Sequence, residues 1–291
     1  MDSSEKTNLA GLKIVSFESR RAKEIAELVR RYGGEPITAP SMREIPLGEN
    51  QAALEILPQL EAGQLDLLIL MTGVGTRTLN ELLLTKYSQA QIGAALRKAR
   101  LVTRGPKPVA VLKELGVQPD ITVPEPNTWR EVLAAIEQTV DLQGKRIALQ
   151  EYGIPNPELV AGLQRRGASV ETFSFYKWAL PEDIGPLRAA IRKISNGEAD
   201  VALFTNGAQV DHLFQVAIED GSEEELRRAL KKIVVGSVGP VCTEVLQQFG
   251  IEPDIVPEHP KMGSLIAAVA ASARDMLTRK VSRYTYSVTL Q

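Results

Sequence analysis

The chain has 291 residues, room for two domains of about 100–150 residues each. Lys plus Arg number 34 and Asp plus Glu 36, a formal net charge of −2, which excludes the broad positive field of a general nucleic-acid binder. One cysteine, Cys242, and two histidines, His212 and His259, exclude an internal disulfide, a Cys-based zinc cage and a His-rich metal site.

In chain order, residues 11–40 read as an apolar strand, a helix and a second strand. The spacing predicts the helix over Ala22–Tyr32, with Ile25, Leu28, Val29 and Tyr32 on one face and Gly33-Gly34 as its stop. Residues 37–47 are extended and punctuated by proline. A continuously apolar strand follows at Leu67–Met71, then a Thr72-Gly73 turn into a helix. Residues 99–126 read as a strand, a turn at Arg104-Gly105, a helix opened by Pro106, and a Pro-Asp-Ile strand. Thr128-x-x-Glu131 is a capping box for the next helix.

From residue 144 the pattern starts again. Residues 144–175 match 11–40, 199–216 match 65–82, and 232–260 match 99–126, in the same order and at an offset of about 133–134 residues. The expected fold class is α/β, with two parallel-sheet domains from an internal duplication. Residues 169–180 are a second extended stretch, at the place equivalent to 37–47. The tail at 281–291 alternates polar and apolar, which leaves an added strand, an oligomer contact or a frayed end open.

No run of 18 apolar residues is present, and the first ten residues lack a signal-peptide core. A cytoplasmic protein is therefore expected, with no membrane and no nucleic-acid partner.

In open α/β sheets, ligands bind beyond the carboxyl ends of the strands. Helix N-termini there offer N–H groups and positive dipole ends. The turns Thr72-Gly73, Arg104-Gly105, Thr205-Asn206-Gly207 and Ser237-Val238-Gly239 would supply such ends. Plain strand-to-helix connection would use the same residues. Gly73-Val74-Gly75 is only a fragment of a dinucleotide turn, and no P-loop is present. His212 reads as packing or solvent-facing, and His259 as a loop residue.

With Gly239-Pro240, Gly250, Pro253-Asp254, Phe204-Thr205-Asn206-Gly207 and Phe175-Tyr176, the chain resembles the uroporphyrinogen-III synthase family over roughly residues 11–278. The resemblance implies two flavodoxin-like domains joined by a two-stranded connector. It divides the chain into a discontinuous first domain (1–40 plus 181–280), an inserted second domain (47–172), connectors at 41–46 and 173–180, and a tail at 281–291.

It also implies a lyase of tetrapyrrole and haem biosynthesis. The reaction would be cyclisation of hydroxymethylbilane with inversion of ring D, without metal or organic cofactor. Hydroxymethylbilane synthase is the candidate partner, by substrate hand-off. Tyr176 matches a family tyrosine that is the candidate to assist departure of the substrate hydroxyl, and a phenol near its usual pKa can donate to that oxygen.

The implied substrate-binding set is Thr72, Gly73, Arg104, Thr205, Asn206, Gly207, Ser237, Gly239, Cys242 and Arg20. Two departures stand out. Cys242 lies where many family members have threonine, and reads more readily as packing. Phe17-Glu18 stands where many have Arg-Pro, which leaves Arg20 as a substitute cation. These departures keep a rival open, a catalytically silent two-lobed tetrapyrrole-binding or sensor module.

Overall fold

The structure is a computed structural model that describes residues 8–47, 50–153 and 155–288. Residues 1–7 of the first expected domain, 48, 49 and 154 of the second, and 289–291 of the tail lie outside the described residues.

The chain opens with β1 (Lys13–Ser16), α1 (Ala22–Arg31), β2 (Glu35–Thr38) and β3 (Arg43–Pro46). It continues with α2 (Gln51–Glu61), β4 (Leu67–Leu70), α3 (Gly73–Leu84), α4 (Gln89–Leu96), β5 (Arg100–Thr103), α5 (Pro106–Glu114) and β6 (Ile121–Thr122). Next come α6 (Trp129–Glu137), β7 (Arg146–Gln150), α7 (Pro157–Gln164), β8 (Ser169–Phe173) and β9 (Tyr176–Ala179). The last part holds α8 (Gly185–Ser195), β10 (Val201–Phe204), α9 (Gly207–Glu219), α10 (Glu223–Leu230), β11 (Val234–Ser237), α11 (Pro240–Gln248) and α12 (Met262–Val288).

Two compact units result, one of Met1–Arg43 with Ala179–Gln291 and one of Glu44–Trp178. The first is built on a parallel sheet ordered β11-β10-β1-β2. Ile255 extends that sheet through a parallel bridge to Gly236. The second is built on a parallel sheet ordered β6-β5-β4-β7-β8. β3 and β9 form a separate two-stranded sheet.

The middle strands are apolar throughout because both of their faces are covered. Along β10, Val201 and Leu203 point to the side of α1 and α12, where they meet Ile25, Val29, Leu265 and Val269. Ala202 and Phe204 point the other way, onto Leu187, Val210, Phe214 and Leu226 of α8, α9 and α10. In β4, Leu68 and Leu70 join the α2–α5 side, and Leu67 and Ile69 join the side of α6 and α7.

The local signals act as the sequence suggests. Thr128 and Glu131 close both halves of the capping box on α6. Pro106 and Pro240 occupy the first turns of α5 and α11. Gly33, at φ 84°, ends the turn after α1. The tail is not an added strand, since α12 runs on as helix to Val288. The alternation there spans too few residues to outweigh continuation of a helix already formed.

Four aspartates tie the strands together. Asp66 Oδ2 accepts from Arg146 N at 2.9 Å, and Asp200 Oδ2 from Lys13 N at 2.7 Å. Asp120 Oδ2 accepts from Leu101 N, and Asp254 Oδ2 from Val235 N, both at 2.8 Å. Each acid precedes or follows a strand and satisfies an N–H at the start of a neighbouring one. This is why the motifs carry an acid before β4 and β10 and Pro-Asp-Ile after α5 and α11.

The Arg146 N–H, aided by Lys145, holds the Asp66 carboxyl below the usual carboxylate range against the opposing effect of burial. The folded state therefore binds that proton less readily than the unfolded chain. The stability it adds is complete above the ordinary carboxylate pKa and is lost as pH falls through the lowered folded value. Urea unfolding of Asp66→Asn should thus show a smaller loss of stability between about pH 5 and pH 3 than the parent protein. An identical acid dependence would contradict this role.

Candidate active site

The carboxyl ends of the parallel strands carry most of the predicted residues. In the first unit, Asn206 caps α9, its Oδ1 accepting from Ala208 N at 3.0 Å. Thr205 Oγ1 donates to Glu18, which stands beyond β1. Gln209 Nε2 donates to Thr205 Oγ1 at 2.9 Å, and Thr205 N donates to Gln209 Oε1 at 2.8 Å. The Thr205 hydroxyl thus does meet a carboxylate, but one from its own chain. Glu18 also accepts from Arg21 N at 3.2 Å.

Ser237, fully buried, donates to Gly239 O at 3.1 Å and accepts from Thr243 Oγ1 at 2.9 Å. Cys242 is 2% exposed, and burial pushes its thiol up to about 12. It therefore stays a neutral packing group at physiological pH rather than a nucleophile. Arg20 is exposed on the loop between β1 and α1, and its neighbour Arg21 pairs with Glu24. His212 is half-buried, with Nδ1 2.7 Å from Ser41 O, and burial lowers its pKa.

In the second unit, Thr72 caps α3 through Gly75 N at 3.0 Å. Gln150, fully buried at the end of β7, accepts from Met71 N and Thr72 N, each at 3.1 Å. Arg104 donates from Nε to Asn127 O at 2.7 Å and lays its guanidinium over the Tyr152 ring, 4.8 Å from the centroid. Tyr176 begins β9. It is 4% exposed, packed in the α2–α5 core and edge-on to Trp178 at 5.4 Å.

The turn glycines have a packing reason. A Cβ at Gly73 would lie 3.0 Å from the Lys107 backbone at the start of α5. One at Gly207 would lie 2.9 Å from Val245 of α11, and one at Gly239 2.9 Å from Pro260. The Gly75 site is tighter still, 2.2 Å from the Gln150 amide. Close approach of neighbouring elements already accounts for these residues, whatever a ligand adds.

The structure gathers Thr205, Asn206, Gly207, Ser237, Gly239 and Cys242 at the ends of β10 and β11 of one unit. It gathers Thr72, Gly73 and Arg104 at the ends of β4 and β5 of the other. Sequence reasoning passed over Gln150-Glu151-Tyr152-Gly153, where β7 ends and the next loop begins. The repeat carried the signal, since Glu151 aligns with Glu18, each just beyond an equivalent strand. Burial raises the Glu151 carboxyl, with the Asn156 N–H pulling part of the way back. Burial likewise raises Tyr152, while Arg104 favours its ionised form. Among the described residues, no group of three or more His, Cys, Asp or Glu is placed to hold a metal ion, and no helix is long and apolar enough to cross a membrane.

Comparison with known proteins gives these strand ends a context. A Bacillus subtilis (strain 168) protein named "Uncharacterized protein YjjA" is 30% identical over 263 residues, covering 90% of this chain and 96% of its own length. Native uroporphyrinogen III synthase of the extremely thermophilic bacterium Thermus thermophilus is 27% identical with a TM-score of 0.57, covering 92% of this chain and 100% of its own. A selenomethionine variant of that enzyme in another crystal form is 26% identical with a TM-score of 0.66, covering 94% of this chain and 100% of its own. Both are mixed α/β proteins with which this chain shares its parallel-sheet fold. Residues 23–267 match the family described as "Uroporphyrinogen-III synthase HemD". That span takes in every strand of the two parallel sheets except β1, together with the turns at Thr72, Arg104, Thr205 and Ser237, and the chain belongs to the uroporphyrinogen-III synthase family.

Proposed function

We propose that this chain is a lyase that cyclises hydroxymethylbilane with inversion of ring D, giving uroporphyrinogen III for haem and other tetrapyrrole synthesis. The observation that carries the reading is the family match across both units. The reaction releases water and redistributes carbon–carbon bonds with no net redox change, so its chemistry needs acid–base groups and positioning rather than a redox cofactor.

On this reading the units are two flavodoxin-like domains that arose by duplication, linked through β3 and β9. The sheet orders support it. β2-β1-β10-β11 and β8-β7-β4-β5 run alike once the repeated segments are matched, and the four aspartates act alike in each. On the same reading the domains are 1–40 plus 181–280 and 47–172, with 41–46 and 173–180 as connectors and 281–291 as a tail. Cytoplasmic placement and substrate hand-off from hydroxymethylbilane synthase belong to the same reading.

The substrate is rich in carboxylates, and the near-neutral chain has to bind them locally. The N-terminal turns of α3, α5, α9 and α11, at Thr72-Gly73, Arg104, Thr205-Asn206-Gly207 and Ser237-Gly239, offer N–H groups and dipole ends for that purpose. Arg104 and Arg20 add cations. Cys242 contributes packing behind the Ser237 turn.

Tyr176 assists by one hydrogen bond to the leaving hydroxyl. Its ring is packed, so Tyr176→Phe should leave the melting temperature nearly unchanged. It should slow turnover by about tenfold, the value of one modest hydrogen bond in the transition state, with the product still type III. A large melting loss would mean that the residue only packs, and unchanged turnover would remove it from the reaction.

The test of the reading is incubation with freshly generated hydroxymethylbilane and separation of the uroporphyrin isomers. Type III product supports the enzyme. Type I alone at the spontaneous rate would favour the silent binding module, to which Glu18 at the family's arginine–proline position would then belong.

A further inference from the structure

The residues after β7 form a braced corner whose carboxylate has no part in the binding scheme above. Glu151 N donates to Phe173 O at 2.9 Å, which fixes the backbone against β8. The half-buried Glu151 carboxyl accepts the Asn156 N–H. Asn156 is itself held as the cap of α7, its Oδ1 accepting from Leu159 N at 3.1 Å, and its side chain hydrogen-bonds with Tyr152.

Tyr152 is clamped from two more directions. The Arg104 guanidinium covers its ring, and Trp178 Nε1 donates to its carbonyl at 3.2 Å. Gly153 then passes so close to β9 that a Cβ there would lie 2.6 Å from both the Tyr176 and the Trp178 ring. The carboxyl therefore rides on a rigid frame at the carboxyl end of a parallel strand, against the segment that carries Tyr176.

Its electrostatic setting suits an acid. Burial favours the neutral form, so the group keeps its proton to higher pH than a surface glutamate. Tyr152, Arg104 and Glu158 are the titratable or charged groups around this corner. Tyr176 by comparison is a weak proton source, because a phenol near neutrality donates a hydrogen bond more readily than a proton.

We propose that Glu151 is the proton donor for loss of the substrate hydroxyl. This rests on the reaction proposed above. The carboxylic acid gives its proton to the hydroxymethyl oxygen. The carbon–oxygen bond breaks and its electron pair leaves with water. The pyrrole nitrogen lone pair forms the new double bond of the azafulvenium. The substituted ring D carbon then attacks, and the spiro intermediate opens and recloses. The proton released when the last ring regains aromaticity returns to the Glu151 carboxylate. One water is lost and no oxidant is consumed.

Glu151→Gln keeps the size of the side chain and an oxygen for the Asn156 N–H. With fresh hydroxymethylbilane it should lower kcat by about 10²–10⁴-fold, the usual worth of a general acid, with KM and melting temperature little changed. An acid must be protonated to act, so the parent kcat should fall at high pH. That limb should vanish in Glu151→Gln and return in Glu151→Asp. If Glu151→Gln is less stable, the aspartate variant decides by regaining or lacking the limb. A glutamine variant within about threefold of the parent, with the parent's pH profile, would overturn the role and leave the enzyme reading standing. A parent protein that yields only type I product would overturn both.

Discussion

Phe204→Ala should lower the unfolding free energy of the first unit by about 3–5 kcal/mol, the cost of removing a large ring from a packed core. Phe204 is fully buried and stacks on Phe17, with centroids 4.7 Å apart and planes 21° from parallel. It faces Val210 and Phe214 of α9 as well, so no single neighbour can move in to fill the space. The next residue is Thr205, whose link to Glu18 joins the ends of β10 and β1. Turnover should therefore fall together with stability. Urea unfolding followed by probes in each unit would check it: the transition of the first unit should move and that of the second should not. A shift below about 1 kcal/mol would mean that the core there is loosely packed.

Gly153→Ala should damage the second unit severely, through strain and overpacking together. Gly153 sits at φ 92°, outside the range that L residues favour. Its Cβ would meet two rings at 2.6 Å, that of the core residue Tyr176 and that of the partly buried Trp178 packed against the same core. Backbone strain of about 1–2 kcal/mol adds to overpacking of about 1–3 kcal/mol. The Trp178–Tyr152 hydrogen bond would be pushed apart, taking the Glu151 corner with it. Gly63→Ala is the control, because Gly63 also has positive φ, 63°, but has nothing within 4 Å of its missing Cβ. It should cost only the strain. Equal losses in the two variants would show that Gly153 serves backbone freedom alone.

Much of the architecture was legible because three pairs of segments follow one another in the same order. One offset linking three segment pairs gave the order of strands and helices, and continuous apolar runs such as Leu67–Leu70 pointed to strands covered on both faces. The helical tail was not legible, because a short alternating stretch cannot reveal that a preceding helix will simply continue through it. The strand-end turns were legible as positions and less so as roles. Gly73, Gly207 and Gly239 read as openings for a ligand, and close neighbours give each a packing reason that no local pattern shows.

The Glu151 corner was missed for a different reason. Its members are ordinary one by one. They become a unit only when Arg104 from beyond β5, Asn156 from the cap of α7 and Trp178 from β9 converge on Tyr152. The Thr205–Glu18 link is similar, joining residues far apart in the chain that no local pattern connects.

The measurement that bears most directly on the account is isomer-resolved turnover of hydroxymethylbilane, generated in place and followed against its spontaneous closure. The account predicts that the purified protein, without added metal or organic cofactor, outruns that closure and yields predominantly type III uroporphyrinogen. Type I product alone, formed at the rate seen without protein, would contradict it.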